Sequence, residues 1–212
     1  TIPSVNDLDT LAVESNKLTS LDVSKASKLR NLTAGINKLT SLDLANLAVL
    51  QTLFISNNTL TSLTIPSAND LRNLDVSGNK LTSLDVSKAR KMVNLTAGVN
   101  KLTSLDITNL AAMQTLTVND NDLTSLTIPS VNDLRALRVR DNRLTSLDVS
   151  KANNLTELNA PNNSLSTVDL SKNTELLNVD LSKNKLSSLN TTTNTKLTSL
   201  ALGFNKLTNL DL

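Results

Sequence analysis

The chain has 212 residues and a mass of 22.7 kDa, with 21 Lys and Arg against 19 Asp and Glu for a net charge of +2. His, Cys, Trp and Tyr are absent and Phe occurs only as Phe54 and Phe204, so the usual neutral-pH general base, thiolate nucleophiles, disulfides and soft-metal ligands are missing and most enzyme classes are disfavoured. Two rings cannot build an aromatic cage or a stacking platform for single strands, and the balanced charge gives no polyanion footprint, so no cofactor and no nucleic acid is expected as a partner.

The chain opens TIPSVND, with neither an initiator Met nor a basic and apolar leader, so any targeting signal is expected to have been removed or to lie outside this stretch. Its longest apolar candidate, Leu44 to Ile55, is interrupted by Asn46, Gln51 and Thr52 and is too short to span a bilayer, so no membrane insertion is expected. From Leu8 onward a 21-residue period runs to the end. Units begin at Leu8, Leu29, Leu50, Leu71, Met92, Met113, Leu134, Leu155, Leu176 and Leu197, giving a partial coil 1–7, nine full coils 8–196 and a partial coil 197–212 within one domain. The ninth position of every unit is Asn: Asn16, Asn37, Asn58, Asn79, Asn100, Asn121, Asn142, Asn163, Asn184 and Asn205. A primary amide offers donors and acceptors enough to satisfy the backbone of a buried bend.

Around that Asn the pattern LxxLxVxxNxL resembles the leucine-rich repeat signature over essentially the whole chain. The second half of each unit, LTSLDVSKA, has the same LxxLxV spacing, which resembles the short nested, IRREKO-type bacterial class. The resemblance implies a β-rich repeat solenoid, a right-handed superhelix of about ten coils with short parallel strands at the fourth to sixth positions, the Asn turned inward and an outward ligand face on those strands. Period-two alternation at Leu21, Asp22 and Val23 predicts a second strand in each coil, hence two parallel ladders. Little helix is expected, because half a coil leaves no room for several turns and Pro3, Pro66 and Pro129 interrupt it.

A 63-residue supercycle overlies the coil period, since the units starting at Leu8, Leu71 and Leu134 carry SKA and those at Leu50 and Met113 carry TIPS. Duplication of a three-coil module extends a surface rather than building one cleft. Both ends fall inside a repeat without a polar cap, so a segment of a longer protein is expected, with end-to-end self-association of open ends as the alternative.

Several columns invite a chemical reading. Asp recurs at the fifteenth position as Asp22, Asp43, Asp85, Asp106, Asp148, Asp169 and Asp211, broken by Thr64, Thr127 and Asn190. Neighbours at one strand spacing, about 4.8 Å, approach a retaining glycosidase pair, but a repeated column on an exposed face lacks the individual environment catalysis needs. Lys25, Lys88, Lys151 and Lys172 are expected to offset the repulsion. Asn119, Asp120, Asn121, Asp122 and Asp141 gather oxygen donors, yet their spacing is not that of a calcium loop, and a solvated turn is the expected reading. The Thr ladder at the twelfth position, including Thr19, Thr40, Thr61, Thr82, Thr103, Thr124, Thr145 and Thr208, raises ice binding as a remote alternative, with bonding to local backbone expected instead. N-x-S/T triplets such as Asn31 to Thr33 are those expected by chance in so Asn-rich a chain.

The most variable column is the fifth position: Ala12, Thr33, Phe54, Asp75, Thr96, Thr117, Arg138, Asn159, Asp180 and Ala201. The coil starting at Leu134 holds four of the seven Arg, Arg135, Arg138, Arg140 and Arg143, which suit carboxylate or phosphate groups. Phe54, Asp75 and these Arg are the expected partner contacts. The functional expectation is a non-enzymatic recognition or adhesion module of a bacterial secreted or surface protein, with a protein or cell-surface ligand. A structural spacer or self-assembling solenoid is the alternative.

Overall fold

The structure, a computed structural model, describes residues 7–66, 70–129 and 133–210. Ten three-residue strands follow one another at one per coil: β1 Thr10–Ala12, β2 Asn31–Thr33, β3 Thr52–Phe54, β4 Asn73–Asp75, β5 Asn94–Thr96, β6 Thr115–Thr117, β7 Ala136–Arg138, β8 Glu157–Asn159, β9 Asn178–Asp180 and β10 Ser199–Ala201. They form one parallel sheet in chain order, and each residue pairs with the one 21 positions later, as Leu11 with Leu32 and Ala12 with Thr33. No helix occurs among the described residues. A strictly repeated length forces this register, because any slip would turn the inward Leu outward.

The middle residue of each strand points into the coil. Leu32, Leu53, Leu95, Leu116 and Leu137 are fully buried, joined by the stacked Leu of the eleventh position such as Leu39, Leu60 and Leu102. Each such side chain contributes about 1.5–3 kcal/mol of transfer free energy. Identical aliphatics stack at constant spacing, whereas a ring in one coil would displace the next, which accounts for the near absence of aromatics.

The expected second ladder does not form. Among the described residues the back of the solenoid has only isolated bridge positions, Asp106 with Thr127 and one at Asn190. The reason lies in the Asp column: Asp22 Oδ1 accepts the Ser24 N–H at 3.0 Å and the Ser24 hydroxyl at 2.7 Å, bending the chain where a strand would continue. Two turns follow directly, Ala26 N–H to the Val23 carbonyl and Leu29 N–H to the Ala26 carbonyl, both at 2.9 Å. The same Asp turn recurs at Asp43, Asp85, Asp106, Asp148 and Asp169, and Asn190 makes it with Thr192. Thr64 and Thr127 break the column where the residue two places on, Pro66 or Pro129, has no N–H to donate. Backbone groups on this side are therefore satisfied within a coil, and those on the strand side between coils.

Candidate strand-face interface

The inward Asn are the rivets that hold the strand face in place. Asn58 Oδ1 accepts the Leu39 N–H of the preceding coil at 2.9 Å, while its Nδ2 donates to the Ala34 carbonyl of that coil and to the Ile55 and Ser56 carbonyls of its own. Asn37, Asn79, Asn100, Asn121, Asn142, Asn163 and Asn184 repeat the pattern. Asn205 Oδ1 also accepts from the coil before, at Leu186, whereas Asn16 bonds only the Val13 and Glu14 carbonyls of its own coil. Every coil junction from Asn37 onward thus has a side-chain amide across it.

On that scaffold the third and fifth positions face outward as two parallel rows, mostly of polar groups. Asn94 Nδ2 donates to Asn73 Oδ1 at 2.7 Å along the third-position row. In the fifth-position row Phe54 is 41 % exposed and Asp75 is half-buried, its carboxylate accepting the Ser77 N–H and hydroxyl. Towards β8–β10 the face carries an open depression of about 210 Å³ bordered by Glu157, Asn159, Asn178 and Asp180.

Three of the four Arg of the coil starting at Leu134 are neutralised, mostly by carboxylates of the adjoining coils. Arg138 makes a bidentate pair with Glu157 of the next strand, Nε to Oε1 at 2.6 Å and Nη2 to Oε2. Arg140 bonds Asp120 and Asp141, both at 3.0 Å, and Arg143 bonds Asp122 at 2.6 Å. The Asp120 carboxylate raises the Arg140 pKa above its ordinary value. Arg135 is exposed. Arg138, Arg140 and Arg143 are therefore pre-set in direction but not free in charge.

The same pairs consume the oxygen donors of the supposed calcium turn. Asp120 and Asp122 serve Arg140 and Arg143, Asn119 Oδ1 accepts the Arg140 N–H at 2.8 Å, Asn162 donates to Asp141, and Asn121 faces inward. Among the described residues no group of three acidic side chains converges as a metal site. In the Asp column, hydrogen bonds from Ser24, Ser87 and Ser150 are the largest cause lowering the carboxyls of Asp22, Asp85 and Asp148, and the Coulombic help of Lys25, Lys88 and Lys151 comes last. These carboxylates are turn-formers. The twelfth-position Thr hydroxyls, expected to bond local backbone, are instead exposed on the outside of the bend and make no such bond among the described residues.

Sequence reading missed a second, short Asn column. Asn173 and Asn194 stand at the nineteenth position, where other coils have Ala26, Leu47, Ala89, Leu110 or Ala152, and both are buried. Each Nδ2 donates to two carbonyls of the preceding coil, while each Oδ1 has no partner. The only signal was the change from SKA to SKN and TTN in the last coils.

One strand per coil, an inward Asn stitching each junction and a 21-residue repeat define a leucine-rich repeat solenoid. No protein-family model matches the sequence, and no curated protein matches it. Among solved structures it is similar to the functional domain of InlJ from Listeria monocytogenes, at 31% identity and a TM-score of 0.87 over 98% of this chain and 51% of that one. It is also similar to YopM, a leucine-rich effector protein from Yersinia pestis, at 25% identity and a TM-score of 0.76 over 97% of this chain and 63% of that one. A leucine-rich repeat protein of Leptospira interrogans shares the fold, with 21% identity and a TM-score of 0.75 over 97% of this chain and 64% of that one. This chain thus spans only half to two thirds of these relatives. The InlJ domain includes a cysteine ladder, while the present chain has no Cys and a ladder of Asn.

Proposed function

We propose that the chain is a non-enzymatic recognition module of a bacterial secreted or cell-surface protein, and that it binds a protein or cell-surface ligand on the outward face of β1–β10. The observation that carries this reading is the contrast within each strand. The inward middle residue is Leu in nine strands and Val in one, while the outward fifth position runs through Ala, Thr, Phe, Asp, Arg and Asn. A strand that holds its inward residue nearly constant and varies its outward one is suited to contact specificity. The contact runs from Phe54 and Asp75 to Arg138, which its bidentate Glu157 pair holds in one direction at little entropic cost on binding. Arg135, Arg140 and Arg143 flank it. Similarity to proteins of Listeria, Yersinia and Leptospira supports the bacterial origin.

The test is retention of solubilised host-cell surface proteins on immobilised chain, comparing wild type with a Phe54→Ala, Asp75→Ala, Arg138→Gln variant of matched unfolding midpoint. A partner held by wild type and lost by the variant supports the reading. Equal retention removes the contact from this face. The alternative, a spacer or end-to-end assembling rod, draws on the unbroken register from β1 to β10. It requires association that grows with concentration in light scattering.

A further inference from the structure

The eighth residue of every coil has a positive φ, from Ser15 at 56° to Phe204 at 60°. Gly78 at 63° and Asn57 and Asn162 at 54° are residues that this left-handed region favours. Ile36 and Val99, both at 53°, are β-branched and disfavoured there, and with Phe204 they are 57, 59 and 83 % exposed. Neither burial nor backbone preference accounts for three bulky apolar side chains in this column. All three stand in the same four-residue turn: Gly35-Ile36-Asn37-Lys38, Gly98-Val99-Asn100-Lys101 and Gly203-Phe204-Asn205-Lys206. The Asn turns inward and the Lys is exposed.

The tenth position continues the pattern. Lys17, Lys38, Lys80 and Lys101 occupy four of the first five coils, and Lys185 and Lys206 the last two, with Lys183 beside them. None of these seven is in an ion pair among the described residues. The acids on the same rim, Asp120, Asp122 and Asp141, are held by Arg140 and Arg143 in the middle coils, and Glu14 accepts the Thr33 hydroxyl. The net charge of +2 suggested no polyanion footprint, but folding gathers unpaired Lys on one edge and leaves the Asp turns on the back.

We propose that this rim, the eighth- and tenth-position side chains along one edge of the sheet, docks on an anionic lipid surface. Coils stacked at about 4.8 Å place Ile36 and Val99 about 14 Å apart, and Phe204 about 24 Å further along. Apolar groups so separated do not make the contiguous core of a protein hot spot. A fluid bilayer needs no contiguity: each side chain enters the headgroup boundary by itself, beside a Lys that meets anionic headgroups. Such docking is peripheral, and among the described residues no helix is long and apolar enough to cross a membrane. The rim is distinct from the strand face, so either reading stands without the other.

The experiment is flotation of the whole chain with vesicles of phosphatidylcholine alone and of phosphatidylcholine mixed with phosphatidylglycerol. Wild type floats with the mixed vesicles only, increasingly less as salt rises. A Lys38→Gln, Lys101→Gln, Lys206→Gln variant binds about a hundredfold more weakly, since each Lys near such a surface contributes roughly fivefold. An Ile36→Asn, Val99→Asn, Phe204→Asn variant, whose new residues suit the backbone, binds about tenfold more weakly with its unfolding midpoint unchanged or raised. A Lys25→Gln, Lys88→Gln, Lys172→Gln control on the back binds as wild type does. The proposal is overturned if wild type fails to float with mixed vesicles or if the back control loses as much as the rim variant. Retention on polyglutamate without flotation also overturns it, in favour of an acidic protein partner.

Discussion

Asn121 Oδ1 accepts the Leu102 N–H at 2.9 Å from the coil before it, and Asn121 Nδ2 reaches the Ala97 carbonyl of that same coil at 3.0 Å. One side chain therefore supplies the partner of the Leu102 N–H and shares the Ala97 carbonyl with Asn100 Nδ2, in both cases across a coil junction.

Replacing Asn121 with Leu keeps the volume and strands the buried Leu102 N–H, while the Ala97, Val118 and Asn119 carbonyls each lose one donor and keep another. One buried donor left unpaired costs about 1–3 kcal/mol, so Asn121→Leu is expected to lower stability by about that much in urea titration. Asn16→Leu, at an exposed residue bonded only within its own coil, is expected to cost under about 1 kcal/mol. Equal losses at the two sites would show that the amide acts locally.

Asn173 is predicted to respond in the opposite sense. The Val149 and Ala152 carbonyls it meets already accept turn N–H groups from Ala152 and Leu155, and its own Oδ1 is buried without a partner. Leu47 and Leu110 show that the nineteenth position holds a Leu at 0 % exposure. Asn173→Leu should therefore leave stability within about 1 kcal/mol of wild type or raise it. A loss like that of Asn121→Leu would sink this account.

Backbone strain in the eighth column gives a pair of opposite shifts. A Cβ on Gly78 would lie 2.5 Å from Asn57 Oδ1 at a φ of +63°, so Gly78→Ala is expected to destabilise by about 1–2 kcal/mol. Val99→Asn relieves a β-branched residue at 53° and is expected to stabilise by about 1 kcal/mol. Thermal unfolding of the two variants, side by side, reads both signs.

Acid should loosen the back of the solenoid. The Thr108 N–H is the largest cause lowering the Asp106 pKa in the folded state, and Ser24, Ser87, Ser150 and Ser171 act likewise at Asp22, Asp85, Asp148 and Asp169. A depressed folded value means that the unfolded chain binds more protons. This stability is complete above the unfolded Asp value of about 3.9 and is lost as pH falls through the lower folded values. The unfolding midpoint is expected to be flat above about pH 5 and to fall steeply below pH 4. Asp106→Asn, which keeps the turn as Asn190 does, should match wild type at neutral pH and shed part of the acid loss.

The sequence by itself determined the coil. Its 21-residue period, the inward Leu and the Asn at every ninth position are local and repeated, so each coil restates which side is buried and where the bend lies. It also carried, unread, the reason the second ladder fails, in the exchange of Asp-x-Ser for Thr-x-Pro at the back. Only the tertiary structure decided what meets across coils. Arg138 finds Glu157 19 residues on, Arg143 finds Asp122 21 residues back, and Lys38 and Lys101 find no acid among the described residues, because the partner of an outward side chain is fixed by stacking register and direction, not by its neighbours in the chain. Arg138, Arg140 and Arg143, three of the four Arg offered in sequence as partner contacts, fold into ion pairs, and the unpaired charge emerges on a rim that the overall composition had averaged away.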